Sequence, residues 1–231
     1  MVGAALVVSV AAASPPPRLA ETCVLKSDPA RPVAFRTSDG KRIFGALYGK
    51  GRVGVVAGHQ IPGTLCDWVP FARVLARRGI RVLTIDFRGY ASSAAAGSTS
   101  SRYDRDLLGG AAFLRRAGVK KVFFAGESMG GTAALVAASE ARAPAGVISL
   151  SGPKWIGSLD AGQAIRKLTA PTFLAVGAND DGFVVDARAL YKASPARDKH
   201  LDVVARSSSH GVALLTGAFR QRVIAFLTSH S

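Results

Sequence analysis

The chain has 231 residues, of which 48% are apolar and 19% are charged. It can therefore bury a sizeable core, which excludes a chain that is disordered throughout, and its length fits one domain. Two cysteines are too few for a disulfide-dense scaffold or a four-thiolate zinc site. The formal net charge of +15 predicts loose contact with anionic surfaces such as a cell envelope, unless it reflects only a bias of composition toward arginine.

Binding to nucleic acid is not expected from this charge. The sequence contains no stacking motif and no basic run interleaved with aromatic residues.

The N-terminus resembles an export segment. Residues 1–13 are apolar or small and are followed by Ser14 and three prolines, which is the size of a signal-peptide core and too short to span a bilayer. No Lys or Arg precedes Arg18, so a hydrophobic leader or a short buried strand remains the alternative. We predict a signal or leader segment over residues 1–22 and a secreted or cell-envelope protein, with a cytoplasmic location as the alternative.

Cys23 and Cys66 bear on the same question, because exported proteins keep disulfides whereas cytosolic ones generally do not. If paired, they would connect the N-terminal arm to the loop after the third predicted strand. Two independent buried thiols are the alternative.

Hydrophobic patterning predicts alternating strands and helices from residue 33 onward. The predicted strands are Val33–Thr37, Arg42–Tyr48, Val53–Ala57, Arg81–Phe87, Lys121–Ala125, Gly146–Leu150, Thr172–Val176 and His200–Val204. The predicted helices are Asp67–Arg78 with Asp67 as N-cap, Asp104–Ala117, Met129–Ala141, Val184–Ala193 and a long closing helix Val212–Leu227. Tyr90–Ser101, rich in Ala, Ser and Gly, is predicted as a loop.

Such alternation favours parallel strands, right-handed crossovers and helices on both faces of the sheet. We therefore predict an α/β fold with a mostly parallel eight-stranded sheet, an antiparallel N-terminal hairpin, and one domain over residues 23–231. Functional residues in this architecture lie just beyond the carboxyl ends of the strands.

Ser128 follows the fifth predicted strand in Gly126-Glu127-Ser128-Met129-Gly130, a G-x-S-x-G sequence between a strand and a helix. In that context the turn is tight and strained, and the hydroxyl projects above the sheet at a helix N-terminus. Ser128 is the candidate nucleophile, with an ordinary glycine-rich turn as the alternative.

A serine hydroxyl needs a general base, and the base needs a carboxylate. Of the four histidines, His210 follows the last predicted strand and is the candidate base, or otherwise a surface loop residue. Asp180 and Asp181 both follow the strand before it and are both candidates for the acid. Asp86 is a weaker choice and is expected instead to brace its loop by pairing with Arg88.

These residues and their order, Ser then Asp then His, resemble the α/β-hydrolase family from about Val33 to Leu227. The family's strand-end Gly-x-x-Asp corresponds to Gly177-Ala178-Asn179-Asp180, which favours Asp180 as the acid. Only residues 151–170 lie where many members insert a lid, so the chain resembles small lidless esterases and dienelactone-hydrolase-like members.

The resemblance also implies an oxyanion hole made by the backbone N–H groups of Met129 and Ile61. The family's His-Gly-x loop corresponds to His59-Gln60-Ile61, where Gln60 replaces the usual glycine and could contribute its own amide. His59 is expected to brace this loop.

The predicted activity is hydrolysis of a carboxylic ester, or a related acyl bond, in a small-molecule substrate by a Ser128–His210–Asp180 triad, with no metal or organic cofactor. An acyltransferase using the same triad and a non-catalytic binding protein with this fold are the alternatives.

Overall fold

The computed structural model describes residues 18–20, 22–97 and 101–231. The predicted leader therefore lies outside the described residues, except for 18–20 and 22. Within the described part of the chain, the structure contains no helix that is long and apolar enough to cross a bilayer.

Eight strands form one sheet with the order β1-β2-β4-β3-β5-β6-β9-β10. β1 is antiparallel to β2 and β2 to β4, whereas every other neighbouring pair is parallel. The predicted mixed eight-stranded sheet is confirmed. Its strands are β1 (Ala30–Arg36), β2 (Arg42–Tyr48), β3 (Val53–Gly58), β4 (Arg81–Ile85), β5 (Lys121–Glu127), β6 (Gly146–Leu150), β9 (Thr172–Gly177) and β10 (Lys199–Val204).

The chain between β6 and β9 forms a small β-ribbon that is separate from this sheet. It consists of two antiparallel strands of two residues each, β7 (Trp155–Ile156) and β8 (Leu159–Asp160). The short helix α4 (Ala161–Ala164) follows it. Thr132 donates its hydroxyl hydrogen to the Pro153 carbonyl and so holds the start of this segment against the third helix.

Helices cover both faces of the sheet, as predicted. Apolar residues of α1 and α6 pack with one set of strand side chains, and those of α2, α3 and α5 pack with the other. The helices are α1 (Val69–Ala76), α2 (Tyr103–Arg116), α3 (Met129–Glu140), α5 (Phe183–Ala193) and α6 (Gly217–Ser229).

Three local predictions are wrong. Residues 65–68 form a 3-10 turn before α1, and its N-cap is Thr64, whose hydroxyl accepts from the Cys66 N–H, rather than Asp67. The long closing helix is broken into a 3-10 turn, Gly211–Leu214, and α6, with extended backbone at Thr216 between them. The predicted loop after β4 contains a 3-10 turn, Ala91–Ala96.

Cys23 and Cys66 form a disulfide, as hypothesised, which closes a segment of 43 residues. Arg73 of α1 reinforces the same connection. Its guanidinium donates to the carboxylate of Asp28, with a shortest N–O distance of 2.6 Å, and to the Cys23 carbonyl. The N-terminal arm is therefore held to α1 and to the turn before it.

Candidate active site

Ser128 occupies the turn between β5 and α3 with strained backbone, φ 47° and ψ −118°. Positive φ is unfavourable for a residue with a side chain and is found where the surrounding structure enforces it. The close approach of strand and helix enforces it here, because a Cβ at Gly126 would overlap the Gly130 carbonyl. Ser128 is half-buried, and its N–H donates to the Leu150 carbonyl at the end of β6.

The structure brings His210 and Asp180 together at this edge of the sheet. Nδ1 of His210 lies 2.9 Å from Oδ2 and 3.1 Å from Oδ1 of Asp180. An ionised carboxylate can only accept, so Nδ1 carries the hydrogen and the lone pair of the neutral ring is on Nε2. Phe183 packs edge-on against the imidazole, with the ring centroids 4.4 Å apart.

Ser151, which sequence reasoning missed, fixes the carboxylate. Its hydroxyl donates to Oδ2 of Asp180 at 2.7 Å and accepts the N–H of Gly211 at 3.1 Å. Ser151 thus connects Asp180 to Gly211, the residue that follows His210. A serine directly after a strand is a weak sequence signal, since strand-end serines are also common in ordinary turns.

A hydrogen bond joins the turn that contains Ser128 to the loop that contains His210. Glu127 precedes Ser128, and its Oε2 accepts the N–H of Val212, two residues after His210, at 2.9 Å. Burial raises the pKa of Glu127 to about 8, and the nearby charge of Asp67 adds to this increase while the Val212 N–H opposes it. Glu127 is fully buried and was also missed by sequence reasoning.

The loop after β3 carries Ile61, which is 50% exposed. His59 braces this loop, as expected: it is fully buried, Nδ1 donates to the Gln60 carbonyl at 2.7 Å and Nε2 accepts the Phe87 N–H at 3.1 Å. Met129 is buried at the first position of α3. Both predicted oxyanion residues therefore follow strands at the same edge as Ser128.

Asp86 has a bracing role, but not through the partner that we expected. Its two carboxylate oxygens accept the N–H groups of Leu65 and Ser92. Arg88 pairs instead with Asp106 and Asp39, with shortest N–O distances of 2.7 Å to each.

Comparisons with known proteins agree with this architecture. A model of the α/β hydrolase fold family matches residues 55–161. An esterase of Pyrococcus furiosus is similar in structure, with a TM-score of 0.72 and 17% identity over 88% of this chain and 91% of that chain. A monoacylglycerol lipase of Paleococcus ferrophilus gives a TM-score of 0.68 and 17% identity over 82% of this chain and 99% of that chain.

An esterase domain from a Rhodothermus marinus protein gives a TM-score of 0.63 and 17% identity over 87% of this chain and 96% of that chain. No curated protein sequence matches the chain significantly.

The protein has the α/β-hydrolase fold, and the resemblance predicted from the sequence is confirmed. Ser128 in the turn after β5 and Asp180 after β9 lie where the sequence resemblance to that fold predicted them. Its placement among small lidless esterases, and the boundaries of its single domain, stay predictions.

Proposed function

We propose that the protein is a serine hydrolase that cleaves carboxylic esters of small molecules. The observation that carries the proposal is the hydrogen bond between His210 and Asp180. The loop that contains His210 is also bonded to Glu127, the residue before Ser128. The proposal is further supported by the strained backbone of Ser128, which follows a strand at the same edge of the sheet as Asp180 and His210. The esterases and the lipase with the same fold support the choice of ester substrates.

The reaction uses Ser128 as nucleophile, His210 as base and Asp180 as the acid. Nε2 of His210 takes the hydroxyl proton while Ser128 Oγ forms a bond to the acyl carbon. The imidazolium then protonates the departing alkoxide, and the alcohol leaves an acyl-enzyme. Water attacks this ester with the same proton transfers and releases the acid. Asp180 stays ionised and stabilises the imidazolium throughout.

The N–H groups of Met129 and Ile61 hold the oxyanion of each tetrahedral intermediate. The Met129 N–H lies at the N-terminus of α3, where the helix dipole favours negative charge. Removal of one such donor typically costs about 3 kcal/mol of transition-state stabilisation.

Apolar surface near this edge fits the acyl part of such a substrate. Ile61 after β3, Trp155 after β6 and Val185 in the first turn of α5 are each at least half exposed. All three follow strands whose carboxyl ends form the catalytic edge, so they supply apolar surface from three separate segments of the chain.

Export to the cell envelope or beyond belongs to the same proposal. The Cys23–Cys66 disulfide supports it, because such bonds persist in oxidising compartments. Loose electrostatic contact with anionic envelope polymers would follow from the net charge of +15.

The test is a panel of p-nitrophenyl esters of increasing acyl length, with Ser128→Ala as the inactive variant. We expect kcat/KM to fall on the order of 10⁴-fold or more in Ser128→Ala, because no other group replaces the nucleophile. Ser38→Ala, which changes an exposed serine in the β1–β2 turn, should match the wild type. A fluorophosphonate should label the wild type and not Ser128→Ala; full esterase activity in Ser128→Ala would contradict the proposal.

A further inference from the structure

Two carboxyl groups, that of the buried Glu127 and that of the half-buried Asp67, lie behind the catalytic edge and take no direct part in the proposed reaction. Glu127 is on β5, immediately before Ser128, and Asp67 is on the 3-10 turn before α1. Oε1 of Glu127 and Oδ2 of Asp67 are both buried, and neither accepts from a donor group among the described residues. The two carboxyl groups lie within hydrogen-bonding reach of each other, but as two carboxylates they would both be acceptors. Buried unsatisfied oxygens are costly, so a proton between the two carboxyl groups would remove two penalties together.

Glu127 contacts the loop of the proposed base. Besides accepting the Val212 N–H, its carboxyl group packs so closely beneath Gly211 that a Cβ there would overlap Oε2. Gly211 directly follows His210. The position of the imidazole therefore depends on where this carboxyl group lies.

Asp67 contacts the loop of the proposed oxyanion donor. A Cβ at Gly63 would overlap Oδ2 of Asp67 and would also crowd the Gln60 carbonyl. Gly63 and Gln60 flank Ile61 and Pro62. The Asp67 carboxyl group thus forms the wall against which this loop rests.

We propose that Glu127 and Asp67 share one proton and act together as positioning residues, holding the His210 loop and the Ile61 loop in register for the same reaction. The protonated carboxyl of Glu127 donates to the carboxylate of Asp67, while its other oxygen keeps the Val212 N–H. When hydroxide removes this proton as water, two carboxylates face each other in a buried site and repel. The two loops then move apart, and the imidazole loses its alignment.

Burial explains why the proton is retained at neutral pH. It raises the pKa of Glu127 to about 8 and also raises the pKa of Asp67, against an opposing hydrogen bond from the Thr64 backbone. A cavity of about 230 Å³ lies on the Asp67 side of the pair and is lined by Asp67, Val212 and Arg220. Charged or titratable groups near the pair include Asp86, whose carboxylate accepts the Leu65 N–H in the same 3-10 turn as Asp67, and Arg220, which lines the same cavity as Asp67. His210 is next to Gly211, which packs on the Glu127 carboxyl group.

The proposal rests on the proposed esterase activity for its kinetic readout, and on infrared spectroscopy for a readout that does not need activity. Glu127→Gln keeps an oxygen for the Val212 N–H and an N–H for Asp67 but cannot titrate. Glu127→Ala removes both contacts. Glu140→Gln makes the same change at an exposed glutamate at the far end of α3 and is the matched control.

We expect the wild-type and Glu140→Gln kcat to fall above about pH 8, and the Glu127→Gln kcat to stay level there with near-wild-type activity at neutral pH. Glu127→Ala should lose about tenfold or more in kcat at every pH, because small displacements of catalytic groups are costly. KM should change less than kcat, since the pair does not touch the substrate. A loss of stability alone would not abolish the fall of kcat above pH 8 in Glu127→Gln while leaving it in Glu140→Gln.

The carbonyl stretch of a protonated carboxylic acid should disappear from the wild-type infrared spectrum with a midpoint near pH 8, and should be absent at neutral pH in Glu127→Gln. An unchanged alkaline limb in Glu127→Gln, or an unchanged acid band, would overturn the proposal. If the wild type neither hydrolyses esters nor reacts with a fluorophosphonate, the proposed function fails, and the infrared titration still decides whether the pair holds a proton.

Discussion

Asp180 and Asp181 are adjacent in the sequence after β9, but their surroundings differ strongly. Asp180 is 8% exposed and contacts both His210 and Ser151. Asp181 is exposed and, within the described part of the chain, makes no hydrogen bond to either of them. A short strand-end turn thus directs one carboxylate into the site and the next toward solvent.

Replacing each aspartate by asparagine should separate them by activity. Asp180→Asn should lower kcat about 10⁴-fold, because an amide facing Nδ1 no longer holds the imidazole in the tautomer that leaves Nε2 free. Asp181→Asn is the matched change one residue away and should leave kcat unaltered. Steady-state kinetics with an activated ester measure both, and a comparable loss in the two variants would reject Asp180 as the acid.

Position after a strand predicts Ser128, His210 and either Asp180 or Asp181 as site residues, and only the resemblance to the family's Gly-x-x-Asp favours Asp180. The sequence did not indicate Ser151 or Glu127, since their roles depend on contacts between segments far apart in the chain. Ser151 has positive φ, 52°, and reaches Asp180 and Gly211 only once β6 and β9 are neighbours. Glu127 occupies a variable position of the G-x-S-x-G motif, so the sequence gives no sign of its contact with Val212.

At the scale of elements, predictions of strands and helices were most accurate where burial alone decides the structure. β2 and β6 have the predicted bounds, because a run of apolar residues between turns admits few alternatives. The predicted closing helix is interrupted after the 3-10 turn Gly211–Leu214, because the backbone at Thr216 is extended before α6 begins. The N–H of Val212, at the start of that turn, bonds to Glu127 on β5. Local periodicity cannot reveal a partner on a distant strand.

Arg88 provides a second example of a distant connection. It is almost fully buried and joins Asp39 in the β1–β2 turn to Asp106 in α2. Those two carboxylates are far from Arg88 in sequence, so its neighbour Asp86 was the natural but wrong expectation. Removal of one member of such a buried group is costly, because a charge is left without a partner.

The disulfide joins two elements, the N-terminal arm and the turn before α1, and its effect on stability can be measured. Closing a segment of 43 residues is worth roughly 4 kcal/mol in the chain-entropy model. We expect the double variant Cys23→Ala/Cys66→Ala to lose up to about this free energy of unfolding in urea. Dithiothreitol should lower the stability of the wild type and not that of the double variant. Equal stability of oxidised and reduced wild type would show that Arg73 and its partners suffice to hold the arm.

At the scale of the whole molecule, the Glu127–Asp67 pair connects the site to global stability through protons. Burial raises the pKa of Glu127 to about 8 in the folded state, whereas an exposed glutamate has a pKa near 4.5. Between these values the folded protein holds a proton that the unfolded chain has released. Stability from this group is therefore full below about pH 4.5 and is lost as the pH rises toward 8.

The window from about pH 6.5 to 8 isolates this effect, because Asp106, whose pKa burial raises to about 6, has largely titrated below it. There the free energy of unfolding of the wild type should fall by up to about 1.4 kcal/mol per pH unit more than that of Glu127→Gln. Urea unfolding at several pH values measures both slopes, and Glu140→Gln should follow the wild type. If the free energy of unfolding changes equally with pH in wild type and Glu127→Gln, Glu127 is ionised in the folded protein. The proposals of a shared proton and of its control over the His210 loop at alkaline pH would then both be rejected.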